Sequence, residues 1–372
     1  MLISTATRNP FVASRFTQLL VCWLALLAFG LVMVSSAAIA LNGNYANKHA
    51  VYLVAALLAF SVTFILPLRV WNNLYLVGWF GALVFAVAVL VPGVGHTVNG
   101  ATRWLQIGGF TLQASEIAKF GLMIYLAGYL HRYGEQLSLE PAKIFVPLGM
   151  IAVVSGLLVV EPDLGSAVVI VAASVVLLFI GGAQLRYFLL LLLVAGGLLA
   201  LLIWMEPYRM QRFMAFIDPW AMPFDGGYQL VQALIAFGRG ELFGLGLGEG
   251  IQKLYYLPEA HNDFIFAVIA EELGAVGALI LLAVYSLFII QIFSVARAQL
   301  EQEELFAGYC CYFVGLIFAF QLLINLGVNT GALPTKGLTL PFISYGGNSL
   351  IISSAMIGMV LRCAYPREAR RG

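Results

Sequence analysis

"LPEAHNDFIFAVIAEELG" (residues 257–274) sets His261, Asn262 and Asp263 against an apolar run that continues to about residue 294. As a helix rising about 1.5 Å per residue, the run from 263 would reach about 48 Å, longer than a hydrocarbon core of about 30 Å. Its first end is therefore expected to stand proud of the lipid or to tilt, which brings Asp263 to headgroup level. An acid in a first helical turn ordinarily caps the helix and complements its dipole. Glu271 and Glu272 point in different directions from the same helix, and neither tolerates lipid. They require a polar interior or a protein neighbour.

Working outward, the rest of the chain is of the same kind. Of 372 residues, 62% are hydrophobic and 10% charged, and the mean hydropathy is +0.96. That composition belongs to a polytopic membrane protein. The net charge of +1 gives no basic field for nucleic acid. Cys22, Cys310, Cys311 and Cys363 all sit within or beside apolar runs, and no disulfide framework is legible.

Ten stretches approach the roughly 20 residues a membrane-spanning helix needs: 17–41, 50–67, 73–92, 113–130, 144–160, 164–182, 186–205, 263–294, 305–328 and 339–362. The first follows Arg8 and Arg15 and contains "SSAAIA" (35–40), but its length and the nine spans behind it mark a retained helix, not a cleaved signal. The fold class is thus all-α, polytopic, with about ten transmembrane helices in one membrane domain over 1–372. One large loop, about 206–262, is expected on the extracytoplasmic side.

Orientation follows from the basic residues. With the N-terminus inside, the cytoplasmic side holds Arg8, Arg15, Arg69, Arg132, Lys143, Arg186, Arg297, Arg362, Arg367, Arg370 and Arg371. The other side holds Lys48, Arg103 and Lys336, plus Arg209, Arg212, Arg239 and Lys253 in the long loop, which weighs little in the positive-inside rule. Both termini are expected in the cytoplasm.

Polar residues outside the opening stretch admit competing readings. "YQLVQALIAF" (228–237) has helical periodicity without spanning length, which suits a helix on the outer surface or one re-entering part-way. Gly244, Gly246, Gly248 and Gly250 match no phosphate-loop pattern and read as a flexible turn. Arg103 and Trp104 are either an interfacial anchor or a ligand-binding pair. Asp163 in "EPDLG" (161–165) is accounted for by turn chemistry. Glu116 and Lys119, three apart on one helix face, either neutralise each other or present a cation to a cavity. A carboxylate at headgroup level, beside a loop carrying four cations, is arranged to meet an anionic lipid head and a proton.

The stretches "EPYRMQRFMAFIDPW" (206–220), "GGYQLVQALIAFGRGELFGLGLG" (226–248), the opening stretch and "LPTKGLTLPFISYGGNSL" (333–350) closely resemble the SEDS family of bacterial cell-wall polymerases, named for shape, elongation, division and sporulation. "EPYRMQR" and "TKGLTLP" favour its division branch over its elongation branch. Asn262 stands where threonine is expected, and Asn348 where serine is usual.

The resemblance implies a peptidoglycan glycosyltransferase of the bacterial cytoplasmic membrane, acting at the division site. It would join the disaccharide of lipid II to a growing glycan strand at the outer face. The family's essential aspartate maps onto Asp263, the expected base for the acceptor's 4-hydroxyl. Arg103, Lys119, Arg209 and Arg212 are candidates for the pyrophosphate, and Glu116, Lys253 and Lys336 complete the expected substrate contacts. A divalent cation could share that task, although no residues show ligand spacing. Expected partners are a class B penicillin-binding transpeptidase and other divisome proteins. A lipid II flippase and a non-catalytic scaffold remain rival readings; in the latter Asp263 is only a cap.

Overall fold

Lipid offers no water to backbone N–H and C=O groups, so apolar runs of this length satisfy them internally as helices. The structure, a computed structural model, describes residues 10–39, 45–98, 101–107 and 110–365. Arg8, Arg367, Arg370 and Arg371, used above for orientation, lie outside the described residues. The elements in order are α1 (Pro10–Ala37), α2 (Tyr45–Ile65), α3 (Leu68–Asn73), α4 (Tyr75–Leu90), β1 (Gly95–Val98), β2 (Ala101–Ile107), β3 (Phe110–Gln113), α5 (Ala114–Leu139), α6 (Phe145–Val160), α7 (Leu164–Ile180), α8 (Leu185–Met205), α9 (Pro207–Ile217), α10 (Tyr228–Gly240), α11 (Ile265–Glu301), α12 (Leu305–Asn329) and α13 (Gly347–Ala364).

Among the described residues, seven helices are long and apolar enough to cross a membrane: α1, α2, α6, α8, α11, α12 and α13. The shorter apolar helices α4 and α7, and the 26-residue α5 with Glu116 in its first turn, fill the other three expected positions. The chain is an all-α polytopic membrane protein with one local exception. The region of Arg103 and Trp104, read above as an interfacial anchor or a ligand-binding pair, contains an antiparallel sheet in the order β1-β2-β3. Strands joined by Asn99-Gly100 and by Gly108-Gly109 carry a recognisable hairpin signature.

The bundle closes by pairing early helices with late ones. α2 lies along α13, where the Thr63 hydroxyl donates to the Ala355 carbonyl at 2.8 Å. α1 runs antiparallel to α11, with Ser36 bonded to Glu272 at one end and Gln18 to Gln291 at the other. In the centre, Phe288 of α11, Phe318 of α12 and Phe342 pack ring against ring. Phe342 belongs to a non-helical stretch. The last span, expected from 339, becomes helical only at Gly347, and the preceding segment enters the bundle, with the Tyr285 hydroxyl donating to the Pro341 carbonyl.

The long rod expected from 263 is broken. At Gly274 the backbone takes φ 69° and ψ −175°, outside the helical region and reserved for glycine. Asp263 therefore neither stands proud on a straight helix nor rides a tilted one; it precedes a short half-helix, 265–273. Such a break is tolerated in lipid when protein re-satisfies the freed backbone groups. The loop after α10 does this: Leu245 N donates to Glu271 O and Gly246 N to Glu272 O, while Ala275 N donates to Glu241 O and Val276 N to Leu242 O, at 2.9–3.1 Å.

The glycine-rich segment is consequently no flexible turn. A Cβ at Gly244 would collide with the backbone of Glu272, so glycine is needed for the close approach. α10, the "YQLVQALIAF" helix, packs on α11 and buries Leu230, Val231, Ala233, Ala236 and Gly240.

Candidate active site

Asp263 does not cap α11. The cap position is Phe264, with no side-chain bond, and the Ala267 N–H is instead taken by the side-chain oxygen of Asn329 at 3.1 Å. The carboxylate of Asp263 is left partly exposed to a cavity of about 700 Å³. On its other side stands Gly337, where a Cβ would lie 2.8 Å from Oδ2.

Several stretches of chain build this cavity, α10 and α12 contributing Gln229 and Gln321. β2 supplies Arg103 and Trp104; α5 supplies Glu116; the α6–α7 turn supplies Asp163; α9 supplies Arg209 and Arg212; the turn before α11 supplies Glu259, Asn262 and Asp263; and the segment after α12 supplies Lys336 and Gly337. The amphipathic α9 holds its arginines one turn apart, so both reach the same side.

Main-chain carbonyls hold all three guanidiniums. Arg103 donates to Glu161 O and Pro162 O, Arg209 to Leu202 O at 3.1 Å, and Arg212 to Thr335 O at 3.3 Å. A neutral carbonyl fixes a guanidinium without cancelling its charge. Glu161 is buried with both carboxyl oxygens lacking a hydrogen-bond partner. Burial above all, then Asp163, raises it to about 8 against the pull of Arg103. Burial thus favours its neutral form, which weakens its pull on that arginine's charge.

The same physics tunes two groups that both line the cavity, Asp263 and Lys336. Burial, then Glu259 and Asp163, raises Asp263 to about 7, while Arg212 and Arg103 oppose the rise. Burial, then Arg212, Arg209 and Arg103, lowers Lys336 to about 8, with Asp163 opposing.

The remaining expected residues fall in different places. Lys119 is buried and bonded to Glu116 at 2.7 Å; Glu116 reaches the cavity wall, and its second oxygen is buried with no hydrogen-bond partner. Lys253, expected beside the substrate, lies instead in a sealed cluster with Glu272 at 2.5 Å, Ser36 Oγ at 2.9 Å and Gly248 O at 2.7 Å. Its position follows from Glu272, which is 0% exposed and has to be neutralised. Glu271, equally buried, meets Arg239 at 3.1 Å and the backbone N–H groups of Ile251 and Gln252.

Asp163 does cap α7 through Ser166 N, as turn chemistry predicts. It also accepts from Gln113 and lines the cavity. Sequence reasoning passed over Gln321, Asn325 and Asn329, which lie at i, i+4 and i+8 on α12 and are each at most 1% exposed. A polar stripe at helical spacing inside an apolar helix was the available signal. Among the described residues, no group of three or more His, Cys, Asp or Glu could hold a metal ion.

The profile of the cell cycle protein family of FtsW, RodA and SpoVE matches residues 16–369. The probable peptidoglycan glycosyltransferase FtsW of Coxiella burnetii is 45% identical over 361 residues, covering 94% of this chain and 96% of the relative. Its counterpart in Hahella chejuensis is 47% identical over 365 residues, covering 96% and 92%. Among solved structures, a chain of a peptidoglycan synthase complex that coordinates polymerisation and crosslinking superposes with a TM-score of 0.76 at 30% identity, covering 95% of this chain and 97% of that one. The rod shape determining protein RodA of Thermus thermophilus gives 0.70 at 30% identity, covering 93% and 95%. With a family match over nearly its whole length and close to half its residues shared with FtsW relatives, the chain belongs to the SEDS family, on its FtsW-like side.

Proposed function

We propose that the chain is a peptidoglycan glycosyltransferase that polymerises lipid II at the outer face of the cytoplasmic membrane for the division septum. The observation that carries this reading is one carboxylate, tuned close to neutral pH, opening onto a cavity ringed by Arg103, Arg209, Arg212 and Lys336. A base works best when its pKa lies near the working pH.

In the proposed step, the acceptor sugar's 4-hydroxyl oxygen attacks the donor's anomeric carbon. Its proton passes to Asp263, the bond from that carbon to the pyrophosphate oxygen breaks, and the electron pair leaves with undecaprenyl pyrophosphate. The leaving group is already a stable anion, so no separate acid is required. The three arginines, held in place beforehand by neutral carbonyls, stabilise the departing charge without reorganising. Glu116, paired with Lys119 at the cavity wall, contributes to the substrate contacts from there. Both termini lie in the cytoplasm, and the partner is a class B penicillin-binding transpeptidase. The solved peptidoglycan synthase complex, in which a similar chain takes part, supports a pairing of that kind.

The test is glycan polymerisation from purified lipid II by the co-purified complex, comparing wild type with Asp263→Asn. Polymer from wild type alone upholds the base. Equal polymer from both returns Asp263 to a structural role. Transfer of lipid II across vesicles without polymer identifies a flippase, and neither activity leaves a scaffold.

A further inference from the structure

Two amides of α12 converge on one atom. The side-chain nitrogens of Asn325 and Asn329 each donate to the main-chain carbonyl of Asp263 at 3.0 Å. A carboxamide nitrogen has two hydrogens and a carbonyl two lone pairs, so this acceptor is saturated by side chains from a helix more than 60 residues away. The second hydrogens are also committed: Asn325 donates to Leu338 O at 2.8 Å and Asn329 to Asn325 O at 2.8 Å. Asn329 Oδ1 accepts from Ala267 N.

We propose that Asn325 and Asn329 are positioning residues for Asp263, and that Asn325 sets the distance between Asp263 and the segment bearing Lys336. The inference rests on the reading of Asp263 as base. The side-chain contact to the start of α11 is made by Asn329 Oδ1, which accepts from Ala267 N. Two donors on the carbonyl of the residue ahead of the helix add nothing to the cap; they fix the peptide from which the carboxylate projects. Through Leu338 O the Asn325 amide holds the neighbouring segment of the cavity, two residues from Lys336 and one from Gly337. Buried polar side chains in an apolar helix are costly unless satisfied, and here three of the four amide hydrogens are spent on the site, the fourth on Asn325 O.

The test separates grip from cap. Asn329→Asp keeps an oxygen for Ala267 N but cannot donate to Asp263 O as a carboxylate; Asn329→Ala and Asn325→Ala remove the donors altogether. In the complex with its transpeptidase, with co-purification and melting temperature measured alongside, kcat for polymerisation is expected to fall about 10- to 100-fold with KM within about twofold, the sensitivity of a reaction to misplacement approaching 1 Å. In Asn329→Asp the acidic limb of the pH profile also moves upward. The charged groups already acting on Asp263 are Glu259, Asp163, Arg103 and Arg212, and a further carboxylate adds to the first two. Wild-type kcat and an unmoved limb in a folded Asn329→Asp overturn the proposal, and that variant decides alone if the alanine variants do not fold. Asp263→Asn run in parallel keeps the two readings apart. If it polymerises, the base itself has failed and the proposal with it; if it is inactive while the asparagine variants match wild type, only the positioning role has failed.

Discussion

Replacing Gly337 with alanine should silence the site while sparing the fold. Gly337 does not adopt the left-handed backbone that excludes other residues, and it is exposed, so a methyl group there costs the folded state little. The new Cβ, however, would sit 2.8 Å from Asp263 Oδ2, with Cγ at 3.6 Å and Oδ1 at 3.9 Å. To reach ordinary contact near 3.4 Å the carboxylate has to retreat by about 0.6 Å. That shift is cheap for a short side chain facing open space. For a base that has to meet a hydroxyl within hydrogen-bond reach it is expensive, since misplacement by about 1 Å can cost about 100-fold. We expect Gly337→Ala to lower kcat about 10- to 50-fold, with lipid II KM and melting temperature close to wild type. Single-turnover polymerisation by the co-purified complex, paired with a thermal melt, measures both. A kcat within twofold of wild type would refute the placement of Asp263 against this glycine or its role as base.

The polymerisation rate should be bell-shaped in pH and narrow. It rises through about 7 as Asp263, raised by burial, loses its proton and becomes a base, and it falls through about 8 as Lys336, lowered by burial and its arginine neighbours, loses its charge. A pH series with wild type and Lys336→Arg checks this; the arginine should push the alkaline limb up, because a guanidinium stays charged. Lys253→Met should act on stability and not on chemistry. It leaves the fully buried Glu272 without its cation, a loss of about 3–5 kcal/mol for a buried pair broken on one side, seen as a lower melting temperature. Enzyme that survives should keep a wild-type KM, because Lys253 does not line the cavity.

What the sequence made legible follows from where the determining contacts lie. Helices whose cause is local, namely apolar length, were readable as runs, and so was the mouth of the site, because Asp263 follows a polar cluster at the start of an apolar run. The positions of Arg103 and Lys253 depend on partners far along the chain. Arg103 meets the carbonyls of Glu161 and Pro162, and Lys253 meets Ser36, 217 positions away. No spacing rule encodes those distances. The break at Gly274 is hidden for a related reason: a single glycine inside an apolar run looks tolerable until another loop supplies hydrogen bonds for the interrupted turn. The strands were missed despite their turn dipeptides, because hydropathy dominated that region.

The pairing of α2 with α13 carries a consequence for how the chain is made. Thr63 and Ala355 are 292 positions apart, so at about 5 to 20 residues per second the ribosome needs about 15 to 60 s to deliver the second after the first. During that interval α2 resides in the bilayer without its principal neighbour. Its hydroxyl is not stranded, because Thr63 can turn back onto Ala59 O and Phe60 O within its own helix. Asp263 and Lys336 are likewise synthesised long after Arg103, Glu116 and Asp163. A nascent chain therefore holds Arg103, Glu116 and Asp163 before it gains Asp263, the proposed base, and Lys336 last of all. On the proposed mechanism it stays chemically silent until the final helices are threaded, which would keep half-made copies from acting on lipid substrate.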